Sequence, residues 1–258
     1  MLKFIAILLF LFFYPFQIQE GQEDVFLPPL QESIQEEEQD AVELLIEEEP
    51  ILLPVEETEE EDKLPTEIFL QVPFTSQAPF AEWDDPRQQD ACEEASVLMA
   101  VYWALGKDLT KEQAKQEILA ASLYQEENFS EYRDTSAQDT AQRIIKGYFG
   151  YENFELKKDI GADNIIQELA AGNLVIVPTN GQALSNPNFN PPGPERHMLV
   201  VIGYDYQTQE FITNDPGTRK GQSYRYAKDI LFDAIRDYPT GYHEEIEEIN
   251  KVMIVVFK

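Results

Sequence analysis

A single cysteine, Cys92, stands in 258 residues, and there are only two histidines, His197 and His243. One thiol excludes an internal disulfide and any Cys-x-x-Cys metal site. Positive charge is equally scarce: 19 Lys and Arg face 49 Asp and Glu, a formal net charge of −30. So acidic a chain repels phosphate backbones and anionic headgroups, which argues against nucleic acid and an anionic membrane surface as partners. The sequence has no glycine-rich phosphate loop, no internal repeat and no serine-centred nucleophile elbow, so nothing in it calls for a cofactor. His243, in Gly241-Tyr242-His243-Glu244-Glu245, lacks ligand-like spacing and reads as a surface residue.

Long apolar runs are missing too, except at the start. Residues 4–16 are apolar behind the single charge of Lys3, too short for a comfortable membrane span and close to the length of a signal-peptide core. No small-x-small cleavage site follows, so residues 1–19 are expected to be a signal peptide or an uncleaved membrane anchor, and the domain to lie outside the cytoplasm. The absence of a nearby cysteine excludes a lipoprotein anchor. Between Glu20 and Asp62 there are 18 acidic residues and no Lys or Arg. Such a block repels itself and cannot bury enough apolar surface to offset its ordering entropy, which predicts a disordered linker over residues 20–65. Its apolar islands at 41–46 and 51–55 leave a pro-segment open. Without residues 20–62 and Lys3, 31 acidic and 18 basic residues remain, a net of −13, and of these only Lys63 lies outside a domain at 66–258.

The lone thiol sits where the chain turns from a polar loop into an apolar run. Asp90 as N-cap and Glu93 three residues later predict a capping box, with Val97, Leu98, Ala100, Val101, Ala104 and Leu105 on the buried face. Cys92 then falls in the first turn, where unpaired N–H groups and the helix dipole favour a thiolate, although Glu93 and Glu94 oppose it. Most free cysteines are merely small buried hydrophobes, so this position alone does not decide its role.

The far end of the chain shifts the balance. His197 opens the apolar run Met198-Leu199-Val200-Val201-Ile202-Gly203-Tyr204, which reads as a buried strand, and Glu210-Phe211-Ile212-Thr213 reads as a second. A hairpin folded about Tyr206 would set His197 opposite Asp215, about 4.5–5.5 Å apart at Cβ and within reach of an imidazole–carboxylate hydrogen bond. Cys92, His197 and Asp215 therefore make a candidate nucleophile, base and orienter, with Asn214 as the alternative orienter.

With these residues in place, the chain resembles the C-thirty-nine-like cysteine peptidases of bacteria, papain-fold relatives of the double-glycine leader peptidases. The resemblance rests on Gln71-Val72-Pro73-Phe74-Thr75-Ser76-Gln77, on Cys92 heading a helix, on His197 to Asp205 and on Asn214-Asp215-Pro216. It implies an oxyanion-hole glutamine upstream of the cysteine, and the matching position is Gln77. The chain departs from the family in two ways. Glu93 stands where the family often has glycine, and Cys92 lies fifteen positions after Gln77, which leaves Gln88 and Gln89 as alternatives.

Periodicity predicts strands at 69–74, 174–177 and 252–257 around the hairpin, and helices at 90–105, 110–121, 136–149, 162–171 and 228–236. Helices come first and antiparallel strands last, which predicts an α+β fold and agrees with the papain-like arrangement of a central helix on an antiparallel sheet. The Pro/Asn/Gly-rich loop 179–196 would edge a substrate cleft. The expected function is extracytoplasmic cleavage of peptide or protein substrates by a monomeric cysteine peptidase. A transglutaminase or amidase on the same fold, or a catalytically idle peptide-binding domain, are the alternatives.

Overall fold

The computed structural model describes residues 66–258. The expectations for residues 1–19 and for nearly all of the acidic linker lie outside the described residues.

Seven strands form one wholly antiparallel sheet: β1 Glu67–Phe69, β2 Phe154–Lys158, β3 Leu174–Thr179, β4 His197–Asp205, β5 Glu210–Asn214, β6 Tyr224–Ala227 and β7 Val252–Val256. The order is β2-β7-β3-β4-β5-β6, with β1 added to the second half of β4. The helices are α1 Pro86–Gln89, α2 Cys92–Ala104, α3 Lys111–Phe129, α4 Ala137–Asp139, α5 Ala162–Ala170 and α6 Lys228–Ala234, and α4 runs on as a π-helix over Thr140–Tyr148.

Why β3, β4 and β7 read as unbroken apolar runs is clear from the layers. Side chains alternate across a strand, and here both faces are covered. Leu174, Ile176, Met198, Val200, Ile202, Ile254 and Val256 pack under α2 with Val97, Val101 and Ile144. Val175, Val177, Leu199, Val201, Met253 and Val255 meet Ile165 and Leu169 of α5 and Leu231 of α6 on the other face. Such double coverage is usual for parallel sheets; here it occurs in an antiparallel one. Helix α2 is buried from Cys92 through Trp103, so it lies in the core with no solvent face. Each fully buried aliphatic side chain contributes about 1.5–3 kcal/mol relative to exposure, which makes this layer the main source of stability.

Several expectations are corrected. Asp90 does not cap α2: it ends α1, its N–H bonding to the Pro86 carbonyl, because Asp85 caps that short helix through the Arg87 N–H and Pro86 fits its first turn. Ala91 precedes α2 without a side-chain cap. The strand expected at 69–74 ends at Phe69, after which the chain runs on past β4 held by Leu70 N–H to Ile202 O. A capping box of Thr110 and Gln113 opens α3, which continues past the expected end at 121 to Phe129.

The hairpin turns over residues 206–209, with Asp205 opposite Glu210. Val200 pairs with Asn214 across a bulge between Val201 and Gly203, so the register differs by two residues from the one expected, and His197 and Asp215 are not paired residues of the ladder. A shift of two keeps both on the same face, because the side-chain period is two.

Candidate active site

Cys92 is the first residue of α2, one turn before Ser96, whose hydroxyl donates to the Met198 carbonyl at 3.1 Å. That bond ties the start of the helix to the start of β4, the elements that carry Cys92 and His197. Both residues line one cleft of about 350 Å³ together with Gln77, Trp83, Gln89, Phe189 and Gly217.

His197 and Asp215 meet despite the altered register. The imidazole Nε2 lies 2.8 Å from Asp215 Oδ1, with both side chains buried. Asp215 sits just past β5, in a turn closed by its N–H to the Gly221 carbonyl. Its Oδ1 also accepts the Gly217 N–H at 2.9 Å, and Oδ2 accepts the Tyr226 hydroxyl at 2.6 Å and the Asn186 amide at 3.5 Å. Burial alone would raise its pKa. The His197 charge and these donors outweigh burial and hold the carboxyl below its ordinary range. Phe189 packs edge-on to the imidazole with centroids 5.4 Å apart. A Cβ on Gly217 would approach both His197 Cε1 and Phe189 Cε1 to 2.9 Å, so only glycine leaves room for the ring.

Asn214 does not reach the imidazole. Its amide donates to the Val72 and Pro73 carbonyls at 3.3 and 3.4 Å and its Oδ1 accepts the Ser223 N–H, so it fastens the segment after β1 to the sheet.

Gln77 is in the cleft, held by its N–H to the Pro216 carbonyl, while its Nε2 donates to the Gln89 carbonyl at 2.6 Å and its buried Oε1 has no partner. Gln89 lines the cleft as well; Gln88 is buried and does not.

The thiolate expectation is corrected. Burial, then the Glu93 carboxylate, push the Cys92 thiol well above its ordinary value. The thiol donates to Glu93 Oε2 at 3.1 Å, and Glu93 Oε1 accepts the Tyr238 hydroxyl at 2.7 Å. Tyr226, Asn186, Phe189, Gly217 and Tyr238 carried no sequence signal marking them for this site, because each reaches it only through the tertiary fold. Among the described residues no group of three or more His, Cys, Asp or Glu is arranged to hold a metal ion.

The family model described as Peptidase_C39 like matches residues 69–242, more than half of the chain. The chain belongs to this family. The central helix on an antiparallel sheet described above is the papain-like α+β arrangement expected from the sequence. Similar solved structures are a candidate C39-like peptidase from Bacillus anthracis, 17% identical over 75% of this chain and 98% of that one with a TM-score of 0.48, and xylellain, a cysteine protease from Xylella fastidiosa, 12% identical over 75% and 86% with a TM-score of 0.43. No curated protein sequence matches the chain significantly. The Peptidase_C39 like domain thus has a cysteine peptidase fold.

Proposed function

We propose that this domain hydrolyses peptide bonds as a cysteine peptidase, with Cys92 as nucleophile, His197 as base, Asp215 as orienter and Gln77 as an oxyanion donor. The observation that carries the reading is the buried 2.8 Å contact of His197 Nε2 with Asp215 in the cleft that also holds Cys92. With Nε2 committed to the carboxylate, Nδ1 is left to take the thiol proton, which yields a thiolate and an imidazolium. The sulfur attacks the amide carbonyl, and the oxyanion is met by the Cys92 N–H and a Gln77 amide swung off Gln89, a contribution of about 3 kcal/mol for one such donor. His197 then returns its proton to the leaving amine, and water hydrolyses the thioester.

The apolar segment at 4–16 supports an extracytoplasmic site of action, secreted or membrane-anchored, which fractionation with N-terminal sequencing would test. Substrates are peptides or proteins reaching the cleft, and the protein works as a monomer. One observation favours a second reading, an idle peptide-binding domain: the thiol is paired with Glu93 rather than with the imidazole. Labelling with an electrophilic peptide probe, followed by a peptide-library cleavage assay on wild type and Cys92→Ala, separates the two. Cleavage lost in Cys92→Ala supports the peptidase; binding without cleavage by either protein supports the binder.

A further inference from the structure

The residue after the nucleophile carries a second consequence. Glu93 is fully buried at the first turn of α2, and among the described residues its side-chain hydrogen-bond partners are the Cys92 thiol and the Tyr238 hydroxyl. We propose that Glu93 is a positioning residue that keeps the Cys92 thiol in a protonated, resting orientation and releases it to His197 when the Glu93 carboxyl takes up a proton. This rests on the triad reading above.

The geometry is that of an acceptor competing with the base. An ionised carboxylate 3.1 Å from Sγ receives the S–H and repels the thiolate that catalysis needs. Protonating it removes both effects. The S–H proton can then pass to His197 Nδ1, giving thiolate and imidazolium with no further proton required, while the added proton stays on Glu93. The surroundings set where this happens. Burial raises the Glu93 carboxyl, the Tyr238 hydroxyl pulls it down and Asp134 pushes it up, with a result of about 7. Glu94 on the same helix turn adds its own effect; its carboxyl accepts from Ser122 and Gln125 of α3 and is itself raised by burial and by Glu93. Asp134, from the segment before α4, accepts the His243 N–H and has Arg196 Nε at 4.0 Å. Release falls near neutrality, so the nucleophile is more available on the acid side.

The test uses the full chain, whose sole thiol makes alkylation unambiguous. Iodoacetamide labelling of Cys92 is followed by mass spectrometry from about pH 5 to about pH 9 for wild type, Glu93→Gln and Tyr238→Phe, each with and without His197→Ala, with folding checked by circular dichroism. Wild type should show an acid-side rise in labelling with a midpoint near 7. Glu93→Gln keeps the side-chain shape without the charge and should label about tenfold faster at about pH 8, with that rise removed. Tyr238→Phe loses a donor that favours the ionised carboxylate, so its rise should move to higher pH. This second variant carries the test if Glu93→Gln fails to fold. Labelling of folded Glu93→Gln at the wild-type rate or slower, or an unmoved rise in Tyr238→Phe, overturns the proposal; if His197→Ala still slows labelling, the triad reading survives. If His197→Ala changes nothing in either background, the triad reading itself fails.

Discussion

At the scale of single residues, the site is held by opposed shifts on two buried carboxyls. Asp215 has a depressed pKa, so its ionised form stabilises the fold at pH values above its ordinary 3.8, and that contribution is lost as pH falls through the lower folded value. Glu93 is the reverse: raised from 4.5 to about 7, it binds a proton in the folded state that the unfolded chain has released, so stability falls as pH rises between those values, by about 3 kcal/mol. Glu94 adds to the same trend. The melting temperature should therefore peak on the mildly acidic side, near 4.5, and decline toward pH 7, with Glu93→Gln flattening the decline; a wild-type curve that rises steadily from pH 5 to pH 7 would contradict these shifts. Asp215→Asn should preserve the fold while lowering peptide turnover, by up to about 10⁴-fold where the tautomer is disrupted. Asn214→Ala should do the opposite. It strands the Val72 and Pro73 carbonyls and the Ser223 N–H, costing about 1–3 kcal/mol in denaturant titration, with activity per folded molecule retained.

At the scale of elements, the turn after β5 is what brings Asp215 to His197. Its shape depends on close approaches that a side chain would block: a Cβ on Gly221 would overlap the Asp215 carbonyl, and one on Gly217 would meet the imidazole and Phe189. Gly217→Ala is expected to displace the His197 ring. Turnover should fall at least about tenfold while thermal stability drops by only about 1–2 kcal/mol, because the added methyl lies in a cleft and not in the sheet core. A kinetic assay alongside a thermal melt distinguishes this from general unfolding, which would lower both together.

At the scale of the molecule, the described residues, 66–258, supply a core on each face of the sheet. Removing residues 1–62 takes away 18 acidic residues and one lysine and should leave the melting temperature within a few degrees of the full chain. Activity that rises sharply on truncation would instead reveal an inhibitory pro-segment.

What the sequence determined by itself is what depends on local pattern and on scarcity. A lone cysteine before an apolar run, one histidine at the head of an apolar strand and Asn214-Asp215-Pro216 after the next strand were enough to nominate three site residues and the α+β order. Local signals could not settle how Asp90 is used, because α1, four residues long, competes for it through Asp85 and Pro86. Nor could they fix the hairpin register: the pairs next to the turn lie three residues from the expected register, and the bulge near Ile202 shifts the ladder by one, which leaves the pairs near the site two residues away; the face was legible because a two-residue shift conserves it. Short strands such as β2 and β6 went unread, because they alternate over only four or five residues, the lower limit of a strand signal. Only the tertiary structure decided that Tyr226 and Asn186 clamp Asp215, that Tyr238, 145 positions from Glu93, donates to it, and that Glu93 faces the thiol rather than a helix cap. Those contacts join distant segments in a water-poor interior, where burial strengthens each charge and each hydrogen bond and so sets the protonation of Cys92.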